Sequence, residues 1–151
     1  MENLLRKELV HTINILGDTL SVFKAFCPIA EKEWVPGWEC KMLYSKTGIA
    51  EKKCVFTTKL DNMPEVVWVC SIYNLGDEVE YVKIIPEHFV TVINIKTTQI
   101  NEYTKCTVNY THTALSNDGE YYISKHLSEE QFIKQIDSWK DEIPVYLKKH
   151  Q

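Results

Sequence analysis

The sequence predicts an α+β domain: a seven-stranded antiparallel sheet with two short helices after strand 1 and a long C-terminal helix. Three observations lead there. Six β-like segments between residues 40 and 115 are joined by connections too short for anything but hairpins. The segment 105–114 alternates strictly, with Lys105, Thr107, Asn109, Thr111 and Thr113 set against Cys106, Val108, Tyr110, His112 and Ala114. Near the C-terminus, Phe132, Ile136, Trp139, Ile143 and Leu147 recur every three or four residues, the stripe of an amphipathic helix.

Residues 5–15 alternate as the first strand, with Leu9, His11, Ile13 and Ile15 on one face. Gly17-Asp18 breaks it, and Asp18 is the expected N-cap of a short helix over 19–26 with Leu20, Phe23 and Phe26 as its apolar stripe. Pro28 suits the first turn of a second short helix over 28–34, because its missing N–H would have no partner there. Val35-Pro36-Gly37-Trp38 fits a type II turn, proline presetting the first central residue and glycine taking the positive φ of the second. Trp34 is then expected to pack the helices on the sheet, with Trp38 at the entrance to the interior.

Strands follow at 40–44, 53–60, 66–74, 78–85, 89–98 and 102–115. Their separators are Thr47-Gly48, Asp61-Asn62-Met63-Pro64, Leu75-Gly76-Asp77, Pro86-Glu87 and the polar stretch 99–101. Asn94 and Lys96 turn Phe89, Thr91, Ile93 and Ile95 inward, so one face of the sheet is covered and the other solvated. In the last segment Ser128 and Gln131 make a capping box, Glu129 and Glu130 suit the positive helix end, and Lys148 and Lys149 the negative end. Pro144 inside this helix is expected to kink it.

At 151 residues the chain is expected to form a single domain, 1–151, able to bury a core without disulfides or metal. A net charge of −4 and the absence of Lys/Arg runs argue against nucleic acid or an anionic membrane surface as partner. No window approaches the ~18 apolar residues of a membrane span, and the N-terminus lacks the apolar core of a signal peptide, so the expected location is the cytoplasm. The five cysteines, Cys27, Cys40, Cys54, Cys70 and Cys106, contain no CxxC pair and are read as reduced, with Cys54, Cys70 and Cys106 as small hydrophobes in strands.

No constellation for a reaction emerges. No Gly-x-Ser-x-Gly elbow is present, and no cysteine lies near a histidine in sequence. No metal motif occurs, and Glu78 and Glu80 read as a solvated strand face. His11 and His112 both face inward but fall several residues out of register, too far apart to share a metal. His88 reads as a strand-start residue, and His126 and His150 as surface positions. Gly17, Gly37, Gly48, Gly76 and Gly119 read as isolated turn glycines, which leaves no phosphate-cradling loop. No cofactor is expected.

The motifs EWVPGWECKMLY (33–44), VFTT (Val55–Thr58), VWV (67–69), YTHTALSNDG (110–119) and SEEQFIKQIDSWKDEIPVYL (128–147) resemble the helix-grip superfamily of birch-pollen-allergen-like proteins, START domains and polyketide cyclases (SRPBCC), in a bacterial and archaeal branch. The resemblance covers nearly the whole chain and carries no catalytic signature. It implies a curved sheet whose concave face is gripped by the C-terminal helix, with an apolar cavity between them open at one end. The expected partner is therefore a hydrophobic small molecule, lipid-like or aromatic, bound or carried rather than transformed. The candidate wall residues are Trp38, Phe56, Trp68, Tyr81, Ile93, Tyr110, His112, Phe132, Ile136 and Trp139. Two alternatives remain open: a polyketide cyclase or aromatase-like enzyme using Tyr110 or His112 as acid or base, and an interaction module like the Hsp90-ATPase activators, working through its outer surface. No protein partner follows from the sequence.

Overall fold

The computed structural model describes residues 3–59 and 64–150. Seven strands form one antiparallel sheet in the order β1-β7-β6-β5-β4-β3-β2: β1 Arg6–Leu16, β2 Cys40–Tyr44, β3 Val55–Thr58, β4 Val66–Asn74, β5 Glu78–Ile85, β6 Phe89–Ile100 and β7 Tyr103–Ala114. The sheet is a meander from β2 to β7 with β1 alongside β7, and three of its hairpins turn where a residue accepts positive φ. Gly76 (φ 76°), Glu87 (φ 70°) and Asn101 (φ 56°) do this at the three longest hairpins. Register shifts in β2 between Met42 and Tyr44, and in β4 between Cys70 and Ile72, mark bulges that bend the sheet.

The strand between β2 and β4 is shorter than the sequence predicts, and Leu60 with Asp61-Asn62-Met63 lies outside the described residues. Strand β6 instead runs longer, taking in Gln99 and Ile100, because Thr97 is buried and extends the inward face, while β7 starts and ends one residue inside the expected 102–115.

Helices α1 (Thr19–Lys24) and α2 (Pro28–Glu31) follow β1. Asp18 caps α1 by accepting the Ser21 N–H at 3.0 Å, and Pro28 opens α2. Leu20 is exposed, not part of the stripe; Val22 and Phe23 make the buried face, because the helix is only a turn and a half long and lies flat on the core. Past Glu31 the chain leaves the predicted second helix in turns. The Trp38 N–H donates to the Val35 carbonyl at 3.2 Å with Gly37 at φ 73°, the expected type II geometry.

A helix the sequence reading did not anticipate, α3 (Asn117–His126), joins β7 to the C-terminal helix α4 (Glu129–Lys149). Gly119 is therefore a helical residue and not a turn glycine. It is glycine because an added Cβ would collide with the His88 backbone carbonyl. α4 carries the predicted capping interaction, the Gln131 N–H donating to Ser128 Oγ at 3.1 Å, and it continues through Pro144 as one element. Its buried stripe of Phe132, Ile136, Trp139 and Ile143 faces the concave side of the sheet. Among the described residues no helix is long and apolar enough to cross a membrane.

Candidate functional site: a ring-lined cavity under the C-terminal helix

Residues two apart on each strand place successive cross-strand rows on the concave face. One row runs Phe56, Trp68, Lys83, Thr91, His112 and Lys7 across β3, β4, β5, β6, β7 and β1. The next brings Tyr81, Ile93, Tyr110 and Leu9 side by side. Above these rows the helices do not fill the space. A cavity of about 380 Å³ remains between sheet, α2, the Pro36–Glu39 turn, α3 and α4. Where it meets solvent its wall includes the exposed Pro36, Gly37, Glu39, Lys59, His126 and Gln131.

Aromatic rings build most of the wall. Phe56 stacks on Trp68 with centroids 5.4 Å apart, and Trp38 meets Trp68 edge-on at 5.5 Å. From the helical side Phe132 meets Tyr110 at 4.9 Å, and Trp139 packs against Phe26 and Trp34 at 5.3 and 6.1 Å. Buried indole and phenol groups keep hydrogen-bond partners, which fixes the rings. Trp34 Nε1 donates to the Ala25 carbonyl, Trp38 Nε1 to Pro28, Trp68 Nε1 to Thr58 Oγ1, and Tyr81 Oη to Phe26, all at 2.8–2.9 Å. Trp34 thus ties the helix pair to α4 rather than to the sheet.

Nine of the ten candidate residues line this space: Trp38, Phe56, Trp68, Tyr81, Ile93, Tyr110, His112, Phe132 and Trp139. Ile136 does not. It is fully buried in the core, one turn along from Phe132 on the part of the stripe that packs rather than the part that lines. His126, expected as a surface residue, is exposed but borders the cavity at the α3–α4 junction. His11 takes no part, since its Nε2 lies 2.7 Å from Asp137 Oδ1 on α4.

Two wall residues that sequence reasoning passed over are charged by type: Glu31 and Lys83. Burial raises the Glu31 carboxyl well above the usual range, which favours its protonated form. Burial likewise lowers the Lys83 amine. Lys83 could have been found by alternation, since Val79, Tyr81, Lys83 and Ile85 share the inward face of β5. Glu31 had no comparable signal on a helix of four residues.

His112 is 4% exposed, and its Nδ1 shares a 2.6 Å hydrogen bond with Thr91 Oγ1. Burial, and then the charges of Lys83 and Lys7, push its pKa down to about 4. Burial raises the Tyr110 phenol well above its ordinary value. The polar groups of the cavity are thus mostly neutral and fixed. Among the described residues no group of three or more His, Cys, Asp or Glu is placed to hold a metal ion.

No family model matches this sequence, and no curated protein matches it. Solved structures do. Hypothetical protein jhp0584 from Helicobacter pylori superposes at a TM-score of 0.72 with 11% identity, covering 93% of this chain and 87% of its own. The Mll3558 protein from Rhizobium loti does so at 0.65 with 13% identity, covering 93% and 99%. A norcoclaurine synthase from Thalictrum flavum, solved as a point mutant in complex with a transition-state analogue, superposes at 0.68 with 8% identity over 100% of both chains. DynU16, from the dynemicin biosynthetic locus, matches at 0.61 with 10% identity over 95% of this chain and 48% of its own length. At these identities the likeness establishes the helix-grip fold and nothing finer.

Proposed function

We propose that this protein binds a hydrophobic, ring-containing small molecule in the cavity between the sheet and α4, with the nine wall residues named above as its contact surface. The observation that carries this reading is the cavity itself. A space of about 380 Å³ walled by tryptophan, phenylalanine and tyrosine has the size and chemistry of a small-molecule site. Leaving it empty forfeits packing contacts that a ligand would supply. The norcoclaurine synthase that shares the fold takes a transition-state analogue, and DynU16 belongs to a biosynthetic locus, which is in keeping with a small organic partner.

Binding is favoured over turnover by the state of the two groups an acid–base reaction would use. His112 is engaged by Thr91 and neutral down to about pH 4, and Tyr110 holds its proton above its ordinary range. Neither is poised near neutral pH, where general catalysis is most effective.

Native mass spectrometry of gently purified protein, together with titration of the neutral fluorophore N-phenyl-1-naphthylamine, tests this. The expected result is saturable one-to-one binding with blue-shifted emission, lost in Ile93→Trp, which fills the middle of the cavity while circular dichroism shows the fold retained. No co-purified ligand and no saturable fluorescence would overturn the reading.

A further inference from the structure

Lys83 is an inward-facing lysine with no counter-charge paired to it among the described residues. In register it lies opposite Trp68 on β4 and Thr91 on β6. Its Nζ sits over the Trp68 ring, 5.5 Å from the centroid, and forms no ion pair among the described residues. Its neighbour Thr91 is already engaged by His112. A ring face holds an ammonium but replaces little of the hydration that it has lost.

The acidic groups of the wall do not balance it. Glu31 reaches the cavity from α2 with its carboxyl raised by burial and forms no ion pair with Lys83, and Glu39 stands exposed at the rim. The lysine charges of Lys83 and Lys7 act on the same region, as the lowered basicity of His112 records. Lys7 is itself occupied, donating from Nζ to the Leu127 carbonyl at 2.8 Å. With His112 neutral, the charge set against the rings inside the cavity is that of Lys83.

We propose that the ligand is an aromatic acid, its rings against Trp68, Phe56 and Phe132 and its carboxylate on Lys83 Nζ beside Thr91. This rests on the cavity-binding reading and adds the chemical class of the ligand. A carboxylate fits better than a phosphate. One ammonium balances one charge, whereas a doubly charged group would leave buried negative charge unpaired. Burial favours the protonated form of Glu31, which would not repel such an anion.

The test is displacement of N-phenyl-1-naphthylamine at pH 7 by naphthalene-2-carboxylate and by its methyl ester, which share one ring system and differ by one charge. The acid is expected to bind roughly tenfold tighter than the ester. In Lys83→Met that preference falls to about threefold or less, and Lys83→Arg, which keeps the charge, retains most of it. Equal affinity of acid and ester for the native protein overturns the proposal without needing any variant, and leaves the cavity reading intact if the fluorophore still binds. A preference for the acid that survives in folded Lys83→Met also overturns it, since the anion is then held elsewhere. Failure of the fluorophore to bind at all overturns both readings together.

Discussion

Nδ1 of His112 and Oγ1 of Thr91 share a 2.6 Å hydrogen bond between paired positions of β7 and β6. The pair sits on the concave face, where burial and two lysines hold the imidazole neutral with a pKa of about 4. In the unfolded chain the same ring titrates near ~6.5. Between those values the unfolded state binds more protons, so stability falls as pH drops from about 6.5 to about 4, and His112 causes no further loss below that. The full difference would be worth roughly 3 kcal/mol, and solvent screening through the open cavity lowers it to about 2 kcal/mol. The fall in urea midpoint from pH 7 to 4.5 is expected to be larger in the native protein than in His112→Gln; the raised Glu31 carboxyl opposes that fall, but equally in both. Exposed Asp18 and Asp137, whose carboxyls are held low by hydrogen bonds, lose their contributions at lower pH and do not confuse the comparison. An acid slope unchanged by the substitution would refute the assignment.

Gly119→Ala is expected to be among the most damaging single changes away from the cavity. The added methyl meets the His88 backbone carbonyl, which cannot swing aside as a side chain could, so α3 must lift from the β5–β6 turn. That lift strains the Leu115 N–H bond to the His88 carbonyl and the Ser116 hydroxyl bond to the Glu87 carbonyl. A loss of about 2–4 kcal/mol is expected. Gly48→Ala is the control: its φ is +83° but nothing lies within 4 Å, so only the left-handed strain of about 1 kcal/mol applies. Equal urea midpoints for the two variants would count against the close-approach explanation.

These two sites also show what could be read in advance. Strand positions and faces were legible because period-two patterning survives in one dimension, as 105–114 shows. α3 was not, because Asn117–His126 buries only Gly119 and Ile123 and so shows no apolar stripe. Its stability comes from distant contacts: Tyr122 stacks on Phe89 at 5.3 Å, and Glu120 accepts the Leu5 N–H at 2.9 Å. The legible signals were its ends, Ser116 as cap, Asp118 and Glu120 in the first turn, Lys125 and His126 in the last. Alternation likewise said that Tyr110 faces inward, and the resemblance set Phe56, Trp68 and Tyr81 in the same interior, but whether inward means packed or hollow depends on how far α4 stands from the sheet. That distance is set by many residues at once.

Pro144→Ala is expected to stabilise the protein without altering the cavity. Proline in a helix interior removes one i to i−4 hydrogen bond and crowds the preceding turn, at a cost of up to about 3 kcal/mol. The α4 residues that line the cavity are Ser128, Gln131, Phe132, Gln135 and Trp139, all before the proline. The proline lies more than a turn beyond the last lining residue, Trp139. A gain of roughly 1–2 kcal/mol in urea, with unchanged affinity for N-phenyl-1-naphthylamine, is expected. A change in affinity larger than the change in stability would show that α4 transmits strain to the wall.

Tyr81 links the sheet to the helix pair that covers the cavity, and its removal separates stability from access. Its buried hydroxyl, 2.8 Å from the Phe26 carbonyl, is the tie between β5 and the segment joining α1 to α2. Burial holds the phenol well above its ordinary pKa, so it remains a donor throughout the accessible pH range. Tyr81→Phe keeps the ring and its contact with Phe56, whose centroid lies 5.8 Å away, while leaving the Phe26 carbonyl without its donor. The expected cost is about 1–2 kcal/mol, the penalty for a buried acceptor losing its partner. Because the strain falls on the α1–α2 connection, where Phe26 and Pro28 border the cavity, while the Tyr81 ring stays in place, stopped-flow displacement of N-phenyl-1-naphthylamine should show faster dissociation with little change in the bound emission maximum. If the stability falls and the dissociation rate does not rise, α1 and α2 are a fixed part of the wall and the ligand passes elsewhere, by way of the α3–α4 junction at His126.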